Sequence, residues 1–213
     1  MSESLVKRTA QISTFAQILF GISSFVGFLA PIKNDFLTIL LIADIVVQII
    51  ELIFYLIFVC YKQLPVIYRY IDWYITTPIQ LISTVALLSF FVNKTIQFDK
   101  FVTSNRNDIL FIVSMNFLML SFGLLAEIYT SFKNILVTIG IVPFVANFYI
   151  MYNNYALQTT EGFIINTYVC IIWFLYGVAA YMTVNTKTIM YNILDIFSKN
   201  FYGFFIGIYM FTI

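Results

Sequence analysis

Lys199 lies mid-way along an apolar stretch, and Asp195 stands four residues before it. That spacing puts both side chains on one face of a helix. An amine held away from water is a useful nucleophile, suited to forming an imine with a carbonyl. The other use of such a pair is to lock helix packing, but buried ion pairs are costly and add little stability. A second group lies far upstream: Asp72, with Arg69 three residues before it and Thr76 four after. A protonated imine in a low-dielectric interior needs counter-charge, and two carboxylates with one arginine can balance it. Trp73 and Trp173 are the only tryptophans. With Tyr176 they offer flat apolar walls for a long conjugated ligand. A third group, Asp44, Gln48, Glu51 and Tyr55, falls at i, i+4, i+7 and i+11, along one helix face. Such a stripe can line a path for cations. Its alternative is a hydrogen-bonded seam between helices.

The elements that position these residues follow from composition. Of 213 residues, 62% are apolar and only 10% charged, with 24 Phe and 15 Tyr. A soluble domain carries about 25% charged residues, so a soluble enzyme, a nucleic-acid binder and a disordered regulator are excluded. Apolar runs of spanning length fall at 9–31, 36–61, 66–92, 109–128, 132–153, 162–184 and 188–212. They predict an all-α membrane protein, a single seven-helix bundle over 1–213, with short loops and no further domain. Pro143 is a candidate kink in the fifth span. Charges at membrane depth are functional candidates, and the deep set is Asp44, Glu51, Arg69, Asp72, Asp195 and Lys199.

The remaining polar residues say less. There is no His, and net charge is +1, so neither a metal site nor an acidic partner is expected. Cys60 and Cys170 read as small buried hydrophobes. Glu127, near a helix end, reads as solvated, and Lys187 as an outer-loop charge. Lys33, Lys94, Lys100 and Arg106 on one side are matched by Lys7, Arg8, Lys62, Lys133 and Lys187 on the other. The positive-inside rule therefore gives no orientation. The opening MSESLVKRTA does not read as a cleaved signal.

The run RYIDWYITTP at 69–78, Trp173 and Tyr176 in the sixth span, and LDIFSK at 194–199 together resemble the microbial, or type 1, rhodopsins over the whole chain. The resemblance implies all-trans-retinal bound as a Schiff base at Lys199, with Asp72 and Asp195 as counterions and Arg69 as their modulating cation. It implies a retinal pocket lined by Trp73, Thr76, Thr77, Trp173 and Tyr176, an extracellular N-terminus, and no enzymatic activity. Thr77 and Asn116 would face each other across the third and fourth helices. A homo-oligomer is compatible with the family.

Departures from the family pattern refine the expectation. The internal proton donor of outward pumps falls, by spacing from Asp72, on Ser83, so fast internal reprotonation is not expected. The pumps' proton-release acid pair is absent. Gly177 stands where a proline is usual and Ala180 where an aromatic is common, which predicts a looser pocket. Asn200 after Lys199, and the acidic second helix, resemble the channelrhodopsins. The small size and AT-rich-looking composition resemble rhodopsins of large algal viruses. The leading expectation is a light-gated cation channel whose path uses Asp44, Gln48, Glu51, Ser83 and Asn200. On that reading Glu51→Ala lowers conductance and leaves the absorption spectrum intact. The alternative is a slow light-driven outward proton pump, and behind it a sensory rhodopsin. The expected partners are retinal, lipid and the transported cations or protons.

Overall fold

The computed structural model describes residues 3–31, 34–60 and 65–212. Lys33 and Lys62, two of the charges weighed for orientation, lie outside them. Helices account for the chain in order: α1 Glu3–Ser24, continued by a 3-10 turn Phe25–Leu29; α2 Asp35–Cys60; α3 Arg69–Val92; short α4 Phe98–Ser104; α5 Arg106–Ile128; α6 Lys133–Asn154; α7 Thr160–Ala180; α8 Val184–Asp195; and α9 Phe201–Tyr209. A π-helical turn, Ile196–Asn200, joins α8 to α9. Among the described residues, six helices are long and apolar enough to cross a membrane on their own. The seventh crossing is α8, the π turn and α9 together. The polar stretch between the third and fourth crossings, expected as a loop, contains α4, and Pro143 lies inside an uninterrupted α6.

Consecutive spans pack against each other around a ring, and α1 closes it against α8 and α9. In lipid a helix satisfies its own backbone, so only its side chains decide which face turns inward. The outer faces carry large apolar residues such as Phe15, Ile22, Val142 and Tyr149. The inner face of α3 carries most of the core, including Leu81, Val85, Leu87 and Leu88. The inner face of α1 is different in kind: its buried residues are Ala10, Ser13, Thr14, Gln17 and Ser24. Four polar side chains out of five face the bundle from a membrane helix.

Three expectations are corrected. Glu127 is not solvated; its side chain is 13% exposed and ion-paired with Lys187, which is itself 2% exposed. Lys187 is therefore no loop charge: α8 starts at Val184 and carries it inside, against the end of α5. Cys60 is exposed at the end of α2, while Cys170 is half-buried beside the core.

Near the end of the bundle that carries Asp35 and Tyr209, two backbones nearly touch. A Cβ on Gly27 would lie 2.9 Å from the Gly207 Cα and 2.7 Å from Leu41 Cδ2. The leucine can rotate away; the backbone cannot. Gly27→Ala is expected to lower stability by about 1–3 kcal/mol, the usual cost of overpacking, read as earlier thermal unfolding in detergent. An unchanged midpoint would show that α1 and α9 separate freely there.

Candidate functional site

Lys199 sits in the π turn. Such turns widen the helix by one residue and free backbone carbonyls, which must find other partners. Here the Ser198 carbonyl accepts from Gln80 Nε2 at 2.9 Å and the Phe197 carbonyl from Tyr168 OH at 2.8 Å. The side chain of Lys199 is buried, and its Nζ meets three carboxylates. Asp72 Oδ2 is at 2.7 Å, Glu51 Oε1 at 3.5 Å and Asp195 Oδ1 at 3.9 Å. Asp72 and Asp195 were expected there. Glu51, assigned from sequence to the ion path, is a third carboxylate on the amine. Its other oxygen, Oε2, accepts from Asn200 Nδ2 at 3.3 Å.

Arg69 pairs with Asp195, not with Asp72 from its own helix: Nη1 lies 2.9 Å from Asp195 Oδ2. Tyr55 and Tyr176 each donate to Asp195 at 2.6 Å, to Oδ2 and Oδ1 respectively. Arg69 Nη2 also donates to Asn192, whose own amide donates to Thr9 on α1 at 2.9 Å. Asp195 thus faces one cation and accepts from two hydroxyls. Asp72 is less tied, since among the described residues its Oδ1 has no hydrogen-bond partner.

A cavity of about 180 Å³ opens from Lys199 between α3, α5, α6 and α7. Trp73, Thr77, Trp173 and Tyr176 line it, as expected. Thr76 does not; it is fully buried and its hydroxyl donates to the Asp72 carbonyl at 2.9 Å. Asn116 Nδ2 donates to Thr77 Oγ1 at 2.8 Å, so that pair does meet. Gly177 and Ala180 also line the cavity, and a Cβ on Gly177 would touch nothing within 4 Å. The wall is open there, in keeping with a loose pocket.

An apolar cavity with aromatic walls and one buried amine, faced by carboxylates, fits a retinal imine. Comparison with known proteins decides the family: the sequence profile of the bacteriorhodopsin-like proteins matches residues 8–213. The chain belongs to the bacteriorhodopsin-like family. Its fold is similar to the crystal structure of the viral rhodopsin OLPVRII, at 26% identity and TM-score 0.82, covering 96% of this chain and 97% of that one. It is also similar to a blue light-absorbing proteorhodopsin from Med12 (16% identity, TM-score 0.75, 97% of each chain). A third is the light-driven proton pump of Coccomyxa subellipsoidea (17% identity, TM-score 0.73, 96% of each). No curated protein sequence matches. Membership makes this rhodopsin an integral, multi-pass membrane protein that carries retinal as a Schiff base on a lysine. Among the described residues, Lys199 is the lysine that lines the cavity.

Toward the start of α2 the remaining candidates gather. Gln48 Nε2 donates to Ser24 Oγ on α1 at 3.1 Å. Asp44 is buried and, among the described residues, neither of its oxygens has a hydrogen-bond partner; Ser83 is buried beside Tyr202. Toward the opposite end, a cavity of about 560 Å³ has Glu3 and Lys7 in its lining and reaches Arg69 and Asn192. Asn192, Ser198, Gln80 and the polar face of α1 join the site without having been expected from sequence. Asn192 carried a signal, being three residues before Asp195 and seven before Lys199. Ser13, Gln17 and Ser24, at i, i+4 and i+11, carried another.

Proposed function

We propose that this rhodopsin is a light-gated cation channel, with Lys199 as the point of retinal attachment and an extracellular N-terminus. The observation that carries the reading is a polar seam along the junction of α1, α2 and the seventh span. It runs from the Arg69–Asn192 cavity past Tyr55, Glu51 and Asn200 to Gln48, Asp44 and Ser24. A packing seam would pair its polar atoms, yet among the described residues both oxygens of Asp44 and Oε1 of Gln17 have no hydrogen-bond partner. The seam stops at Gly27, Leu41 and Gly207, where the backbones close together. Apolar constrictions of this kind gate by excluding water.

Bound retinal supplies light-driven isomerisation. The chain supplies the switch. Asp72, 2.7 Å from Lys199 Nζ, accepts the proton held on that nitrogen, and both groups become neutral. At an effective dielectric of about 20, the gross attraction lost is about 6 kcal/mol. That attraction joins α3 to the seventh span, so its loss frees the seam to widen and admit water. Glu51 and Asp44 then offer carboxylate oxygens to a passing cation.

Glu51→Gln is expected to reduce the light-evoked current several-fold. Its 3.5 Å approach to Lys199 also revises one expectation: the absorption maximum moves with it. Currents equal to wild type in voltage clamp would return α2 to a packing role. The Lys199–Asp72 geometry equally favours the acceptor half of an outward proton pump, the second reading. A pump gives current that keeps one direction whatever the cation gradient.

A further inference from the structure

One side chain lies across the polar seam. Gln48 stands four residues after Asp44 and three before Glu51, and it is 4% exposed. Its carboxamide reaches from α1 to the seventh span. On the α1 side, Nε2 donates to Ser24 Oγ at 3.1 Å, and the Ser24 hydroxyl lies 3.3 Å from Oε1. A Cβ on Gly21 would lie 3.5 Å from that same Oε1. On the other side, a Cβ on Gly203 would overlap Nε2 outright and lie 3.4 Å from the carboxamide carbon. Two glycines on facing helices thus leave a slot, and the amide of Gln48 fills it.

The features on either side of this slot leave it a task of its own. Toward Lys199, Glu51 is engaged by the amine and by Asn200. Toward the opposite end, Gly27, Leu41 and Gly207 bring backbone and aliphatic surface together. An apolar closure admits or excludes water, but it offers no oxygen that could tell one cation from another. Gln48 Oε1 and Ser24 Oγ are neutral oxygens at one level of the path, and the Asp44 carboxylate lies about one turn further along. Oxygens of this kind replace part of the water around a small inorganic cation as it passes. A broad organic cation gains little from them and needs width instead, which the amide occupies.

We propose that Gln48 is the specificity-determining residue of the cation path. Its carboxamide, held across the seam between Ser24 and Gly203, passes small inorganic cations such as sodium and turns away organic cations such as dimethylammonium. The inference rests on the channel reading and adds to it the class of ion. Light opens the apolar closure at Gly27 and Gly207, while the amide stays across the path and sets its width.

Light-evoked currents under voltage clamp, with external sodium replaced by dimethylammonium, test this. In wild type the reversal potential is expected to move strongly negative on replacement. In Gln48→Ala, which empties the slot, the permeability of dimethylammonium relative to sodium is expected to rise several-fold. The absorption maximum is expected to stay at the wild-type value, because Asp72, Asp195 and Glu51 are untouched. Gln48→Asn shortens the side chain with a smaller loss of packing and is expected to change in the same direction, so it carries the test if the alanine variant yields no pigment. Gln48→Leu keeps the bulk without the oxygen, and there sodium current is expected to fall while dimethylammonium stays excluded. A wild-type current that reverses with the sodium gradient, with relative permeability unchanged in the alanine and asparagine variants, overturns this assignment alone. So does a wild-type channel that passes dimethylammonium as readily as sodium. A wild-type current of constant direction overturns the channel reading, and this assignment with it.

Discussion

Lys199→Ala is expected to yield a protein that shows no visible absorption band when all-trans-retinal is added. Among the described residues, every other lysine within the bundle is engaged or remote from the cavity. Lys187 is paired with Glu127, Lys133 donates to the Met182 carbonyl, and Lys94 donates to Tyr209. None lines the space between Trp73, Trp173 and Tyr176. The alanine variant also strips the cation from Asp72, Glu51 and Asp195, which leaves three buried carboxylates with Arg69 alone. Breaking a buried pair in this way costs about 3–5 kcal/mol, so loss of pigment could reflect loss of fold. Lys199→Arg separates the two effects. It keeps a cation near the three carboxylates but cannot form the imine, and it is expected to be produced at near wild-type level without colour. A visible band in either variant would remove Lys199 from the centre of the account.

Asp72→Asn is expected to shift absorption to the red and to slow proton departure from Lys199 nitrogen by about 10²–10⁴-fold, the usual scale for loss of a positioned acid–base group. Three carboxylates surround the amine, so the prediction depends on ranking them. Asp195 is already held by Arg69, Tyr55 and Tyr176. Glu51 is further away, at 3.5 Å, and shares an oxygen with Asn200. Asp72 is nearest and, among the described residues, has one oxygen without a hydrogen-bond partner. Removing its charge takes away the negative field that favours positive charge localised at the nitrogen, and that lowers the excitation energy. A flash-photolysis record gives both quantities from one sample. A blue shift or unchanged maximum, with proton transfer at wild-type rate, would assign the dominant counterion role to Asp195 or Glu51.

The third and seventh spans were legible because their chemistry lies along single helices. Asp72 with Thr76, and Asp195 with Lys199, announce themselves by spacing, and Trp73 and Trp173 are the only residues of their kind. Contacts between helices were not legible in this way. Spacing along α2 places Glu51 on the stripe but does not say that the stripe turns toward Lys199. The ion pair of Glu127 with Lys187 joins residues 60 apart in sequence, and each alone reads as an ordinary charge near a helix end. Arg69 crosses to Asp195 for the same reason: its partner lies on another helix, not one turn away. The π turn at Lys199 leaves no composition signal, since IFSKN continues a helical pattern without Pro or Gly. On α1, serine, threonine and glutamine are weakly polar enough to pass inside an apolar run, so its inward face came to light only when the ring closed.

The reading of the seam as a cation path has one decisive measurement. Light-evoked current from cells producing the protein is recorded under voltage clamp, over a range of holding potentials, in two external sodium concentrations. The account predicts a current that reverses sign and a reversal potential that moves with the sodium gradient. A current of constant direction at all potentials, indifferent to sodium, would contradict it and leave the proton pump in its place.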